Sequence, residues 1–129
     1  MDTRIIVDTT IWIEFFRSPD STVANHLKDL LRQRRVVMVG MVMAEILQGV
    51  KAPKEANLVL TSFTKLPYSE MTKDRWQQAG EISASLRKKG TTIPLSDLVI
   101  AACALAEGHE VYTLDPHFKR IPGVKVHLT

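Results

Sequence analysis

Arg4-Ile5-Ile6-Val7-Asp8-Thr9-Thr10-Ile11-Trp12-Ile13-Glu14-Phe15-Phe16 carries the pattern that decides the fold. The β-branched run up to Val7 reads as a strand, and after Asp8 the apolar residues take helical spacing, so the segment predicts strand, turn, helix. Strands and helices continue to alternate beyond it. After a break at Ser18-Pro19-Asp20-Ser21, the residues Val23, Leu27, Leu30 and Leu31 fall on one helix face. Val36-Val37-Met38-Val39 is a continuous apolar run, as a parallel strand covered on both faces requires, and Met41 to Val50 follows as a helix. Lys54 to Lys65 predicts an amphipathic helix with Leu58, Val59 and Phe63 inward, and Leu66-Pro67-Tyr68 is no more than a strand stub. From Thr72 a helix of about five turns carries Trp76, Ala79, Ser83 and Leu86 on one face, ending in Arg87-Lys88-Lys89 with Gly90 as its C-cap. Pro94 precedes a helix from Leu95 to Glu107 that Gly108 closes; Glu110 to Leu114 is a strand ending at Asp115, and Lys125 to Leu128 a last edge strand. This alternation predicts the α/β class, with a mainly parallel sheet flanked by helices in a single domain over 1–129.

Composition bounds the function classes. Hydrophobic residues at 45% and charged residues at 24% exclude disordered and fibrous classes. A net charge of +3 suits a polyanionic partner such as nucleic acid without forming a basic arm. Cys103 lies in the apolar run Ala101 to Leu105 with no second cysteine to pair with, which suits a reducing, cytoplasmic setting. The longest apolar run, Val36 to Leu47, is interrupted by Glu45 and falls short of the ~20 residues a membrane helix needs. No charged segment followed by an apolar stretch marks a signal peptide, so a soluble protein away from the membrane is expected.

In doubly wound sheets ligands bind beyond the carboxyl ends of the strands, where Asp8 and Asp115 fall. Asp97 lies in the first turn of its helix, where the dipole favours a carboxylate. Glu45 sits in the otherwise apolar Val39 to Leu47, where a buried unpaired charge is costly, so it needs a partner. Four carboxylates in one pocket would raise each other's pKa, a conflict that a hard divalent cation resolves. Oxygen ligands, without a Cys cluster or a His pair at metal spacing, select Mg²⁺ or Mn²⁺ over Zn²⁺. Such ions lower the pKa of water and clamp phosphodiester oxygens. Singly, each acid also has a plain role: Asp8 and Asp115 as turn formers, Asp97 as a first-turn acid, Glu45 in a salt bridge to a lysine such as Lys51. The clusters Arg32 to Arg35 and Arg87 to Lys89 complement helix C-termini, and Trp12 and Trp76 sit at core spacing. His26, His109, His117 and His127 show no helical pairing, so histidine ligation is not expected; His117, beside Asp115, alone warrants a test. Ser96 reads as a helix-start residue, since no Gly-x-Ser-x-Gly surrounds it.

Val7-Asp8-Thr9-Thr10-Ile11-Trp12, Met43-Ala44-Glu45-Ile46-Leu47, Ile93-Pro94-Leu95-Ser96-Asp97-Leu98 and Thr113-Leu114-Asp115-Pro116-His117-Phe118 together resemble the four acidic motifs of the PIN domain in VapC toxins. The resemblance runs from Ile5 to Val124-Lys125-Val126, with the motifs in family order and at family spacing. It implies a three-layer α/β/α fold and an endoribonuclease of a VapBC-type toxin–antitoxin system. In that reading Asp8, Glu45, Asp97 and Asp115 are the catalytic, metal-binding acids holding Mg²⁺, for which Mn²⁺ substitutes, and a metal-activated water attacks the RNA. Thr10 and Thr113 match the family's Ser/Thr positions, with roles in orienting carboxylates or waters. Pro116 and His117 stand where relatives sometimes carry a further polar or acidic ligand, which leaves the number of ions open. The resemblance also implies a homodimer, neutralised by a cognate VapB-type antitoxin whose C-terminal segment crosses the active-site groove. A receiver-like Mg²⁺-binding signalling domain wants an adjacent acidic pair after the first strand, but Asp8 is followed by Thr9-Thr10. A catalytically silent PIN module fits poorly with an intact acidic set. A PIN nuclease of RNA processing shares the site and differs in its biological role.

Overall fold

The structure, a computed structural model, describes residues 3–129. Its elements in chain order are β1 (Ile5–Val7), α1 (Thr9–Arg17), α2 (Thr22–Arg32), β2 (Val36–Val39), α3 (Gly40–Gln48), α4 (Pro53–Phe63), β3 (Tyr68–Ser69), α5 (Lys73–Lys88), α6 (Leu95–Glu107) and β4 (Glu110–Tyr112). A 3-10 turn over Pro116–Arg120 follows. The sheet runs in the order β3-β2-β1-β4, and every pairing within it is parallel. Helices lie against it, as the α/β reading expects, because parallel neighbours need crossover connections that place helices over the sheet faces. Every residue of β1 and β2 is buried, which is why these strands read as unbroken apolar runs without alternation.

Local chemistry sets the ends of the elements. Ser21 Oγ accepts from the Ala24 N–H at the start of α2, and Thr72 Oγ1 accepts from the Arg75 N–H at the start of α5. Helix α6 is buried from Asp97 to Ala104, and its small residues Ala101, Ala102, Cys103 and Ala104 let it pack deep in the core. Gly108 closes it at φ 71°, in the left-handed conformation that spares glycine a Cβ clash. A Cβ at Gly108 would meet nothing within 4 Å. Gly108→Ala is therefore expected to cost about 1 kcal/mol, all of it conformational, in urea denaturation.

Four expectations are corrected. Trp76 is 51% exposed rather than core, because the buried stripe of α5 centres on Ala79 and Leu86 and Trp76 lies about 80° around the helix from Leu86. Leu58 is 63% exposed, while Val59 and Phe63 turn inward as anticipated. Strand β4 stops at Tyr112, not Leu114: the Leu114 N–H donates to Thr10 Oγ1 at 3.1 Å and the Asp115 N–H to Thr113 Oγ1 at 2.9 Å, so side-chain hydroxyls take the donors a ladder would use. The final segment makes a single parallel bridge, Val111 to Val126, instead of a strand. It is tied down beside that bridge by histidines 101 positions apart, His127 Nε2 lying 2.9 Å from His26 Nε2 on α2, and by His127 Nδ1 at 2.7 Å from Glu110. Helical spacing alone cannot reveal that pair. Among the described residues, no helix is long and apolar enough to cross a membrane.

Candidate active site

The carboxyl ends of β1 and β4 are adjacent in the sheet, so Asp8 and the loop after Tyr112 must meet. Asp8 is the N-cap residue of α1, yet its side chain caps nothing. Its Oδ2 instead accepts from Thr10 Oγ1 at 2.9 Å and from Thr113 Oγ1 at 2.7 Å. Two hydroxyls, one from each flanking segment, thus set the orientation of a carboxylate that is only 3% exposed. Thr113 also accepts from the Asp115 N–H, which links the first acid to the last.

Asp115 caps the 3-10 turn, its Oδ1 accepting from the His117 N–H at 2.9 Å. That turn carries the imidazole back over the acids. His117 Nδ1 lies 3.2 Å from Asp97 Oδ2 and 3.0 Å from Asp115 Oδ1. Asp97 enters from the first turn of α6 and is 9% exposed. Burial, then the neighbouring Asp115 and Asp8, push its carboxyl up to about 6, while His117 pulls the other way. A carboxylate held there against two others carries an excess of negative charge that a divalent cation would relieve. Among the described residues, the side chains of Asp97, Asp115 and His117 bring one donor atom each within 4.8 Å of one another. Their mixed oxygen and nitrogen donors fit a six-coordinate divalent ion, so the residues present suit the group that the motifs imply.

Of the acids read from the sequence, Asp8, Asp97 and Asp115 converge, and Thr10 and Thr113 lie among them. Glu45 is reached differently. On α3 and half-buried, its Oε1 accepts from Thr9 Oγ1 at 2.7 Å, and it is not among the charges acting on Asp97. It stands at the rim, joined to Asp8 through the adjacent Thr9, and no ion pair to Lys51 forms among the described residues. Sequence reasoning missed Thr9, although two hydroxyls directly after the first acid were visible; it expected no histidine ligation but singled out His117 for a test, and the structure places that ring against Asp97 and Asp115. Beside the rim, Trp12, Phe15, Phe16, Leu58 and Phe63 line an apolar groove of about 380 Å³ between α1 and α4. Glu55 and Val59 are shared with a second hollow that includes Glu45.

The family model described as the PIN domain matches residues 5–124. Ribonuclease VapC11 of Mycobacterium tuberculosis is 27% identical over 124 residues, covering 93% of this chain and 92% of that protein. Ribonuclease VapC2 of Rickettsia felis is 26% identical over 124 residues, covering 92% of each. The solved structure of VapBC2 from Rickettsia felis bound to a DNA fragment from their promoter superposes with a TM-score of 0.80 at 25% identity, covering 95% of this chain and 96% of that one. The match begins with the first residue of β1 and runs on past the turn that carries His117, taking in the strands and the acids at their ends, and on that evidence the chain belongs to the PIN domain family.

Proposed function

We propose that this chain is a divalent-cation-dependent endoribonuclease and the toxin of a VapBC-type toxin–antitoxin pair. The observation that carries the reading is the meeting of Asp8, Asp97 and Asp115 at the carboxyl edge of a parallel sheet, where Asp97 and Asp115 stand with His117 within reach of one cation and burial and like charge push the Asp97 carboxyl up. Relatives named as ribonucleases, similar over more than nine-tenths of the chain, support RNA as the substrate, as does the net charge of +3.

Asp8, Asp97 and Asp115 would hold Mg²⁺ or Mn²⁺, which supplies charge neutralisation at the scissile phosphate and a lowered pKa for water. The protein's share of the work is positional. Thr10 and Thr113 grip a single oxygen of Asp8 and so prevent that carboxylate from rotating out of the crevice. The hydrogen bond from Asp115 N–H to Thr113 keeps the last acid in step with the first. Glu45, oriented by Thr9, adds a fourth carboxylate of the proposed set from α3. The antitoxin is assigned to the apolar groove between α1 and α4, where Phe16 and Leu58 are exposed large hydrophobics that gain from being covered. The complex of VapB with VapC in the Rickettsia felis structure supports that kind of partner, and a homodimer is proposed for the toxin itself.

The test uses purified protein and total cellular RNA. Cleavage is expected with Mg²⁺ or Mn²⁺, lost on adding EDTA and restored by excess cation. Undiminished cleavage in EDTA would overturn the metal mechanism. Expression alone is expected to arrest growth, and co-expression of the neighbouring antitoxin gene to relieve it; unimpaired growth at high expression would count against the toxin role.

A further inference from the structure

His117 places a nitrogen donor in a site otherwise made of carboxylate oxygens. Ligands at right angles around a six-coordinate ion, with metal–ligand bonds of about 2.1–2.2 Å, lie about 3 Å apart. His117 Nδ1 lies within hydrogen-bonding distance of Asp97 Oδ2 and Asp115 Oδ1, at 3.2 and 3.0 Å, and the same spacings match two edges of such an octahedron once a cation takes the place of the shared proton. The ring is also held in place. The backbone N–H of His117 donates to Asp115 Oδ1, Pro116 stiffens the turn before it, and Phe118 next to it is fully buried. An imidazole nitrogen is an uncharged donor, so it adds a ligand without adding negative charge to a crowded site.

We propose that His117 Nδ1 is a direct cation ligand, completing one face of the coordination sphere with Asp97 and Asp115, and that it tilts the site from Mg²⁺ towards Mn²⁺. Mg²⁺ is a hard ion that prefers oxygen and retains its waters, whereas first-row transition ions accept imidazole more readily. The proposal rests on the reading of this crevice as a cation site.

Isothermal titration of the metal-free protein with MnCl₂ and with MgCl₂, for wild type and His117→Asn, provides the first measurement. Wild type is expected to bind Mn²⁺ more tightly than Mg²⁺ by about tenfold or more, and the substitution to weaken Mn²⁺ by a similar factor while changing Mg²⁺ far less. The second is pulsed EPR of bound Mn²⁺. A ¹⁴N coupling from directly bound imidazole is expected in the wild type and absent in His117→Asn. Mn²⁺ bound to wild type without nitrogen coupling, or with affinity unchanged by the substitution, overturns the role of His117 and leaves the nuclease reading standing. No binding of either ion to wild type overturns both. Because the EPR measurement on wild type needs no variant, a misfolded His117→Asn protein would not shelter the proposal.

Discussion

Asp97→Asn is expected to lower RNA cleavage by about three orders of magnitude or more, roughly 4 kcal/mol of transition-state stabilisation, while making the metal-free protein more stable. The two effects have one origin. Asp97 is buried beside Asp115 and Asp8, and its carboxyl is held up at about 6 against an ordinary value of 3.8. Between those two pH values the folded protein binds more protons than the unfolded chain, so stability falls as pH rises through the window, and above it the penalty stays constant. A shift of that size corresponds to about 3 kcal/mol as an upper figure at pH 7.5, and a neutral carboxamide escapes it. Urea denaturation in EDTA is thus expected to show the variant more stable at pH 7.5 by ~1–3 kcal/mol, with the advantage vanishing below pH 4. Adding Mn²⁺ should stabilise wild type and leave the variant almost unmoved. A variant that is less stable than wild type in EDTA at pH 7.5 would contradict this account of the crevice.

Thr113→Val is the second large effect, and it leaves all four acids in place. Its hydroxyl donates to Asp8 Oδ2 and accepts from the Asp115 N–H, so one isosteric change loosens the first acid, leaving it to Thr10 alone, and cuts its link to the last. Loss of outer contacts of this kind typically costs 10–100-fold in metal affinity or activity, and a value in that range is expected for cleavage at limiting Mn²⁺. Thr10→Val removes the other hydroxyl on the same oxygen and should fall at the lower end of that range, because Thr113 remains. Activity that recovers at high Mn²⁺ distinguishes a positioning role from general damage to the fold. Wild-type activity in Thr113→Val at every metal concentration would show that the Asp8 network has no part in the reaction.

The sheet was legible because its central strands are covered on both faces. Val36 to Val39 has no polar residue to break the run, and the structure buries all four. Asp8 and Asp115 were legible for a related reason: a carboxylate following such a run is delivered to the carboxyl edge of the sheet. Other features depend on contacts that sequence spacing does not encode. Trp76 lies at the margin of an arc whose centre only tertiary packing defines, and Leu58 sits one residue from the buried stripe of its helix. The early end of β4 follows from hydroxyls capturing backbone donors: Thr113 takes the Asp115 N–H locally, but Thr10 takes the Leu114 N–H only because segments more than a hundred positions apart come together. Glu45 needed a partner, as its apolar surroundings implied, but found Thr9 across the fold rather than nearby Lys51. His117 drew notice only as a neighbour of Asp115; its contact with Asp97 is made by a turn, not a helix, and helical spacing carries no sign of it.

Crystals soaked in Mn²⁺ and measured for anomalous scattering test the shared-cation claim directly. The expected result is an anomalous peak about 2.1–2.3 Å from carboxylate oxygens of both Asp97 and Asp115, on the side facing Asp8. Full Mn²⁺ loading with no peak between those two side chains would contradict it.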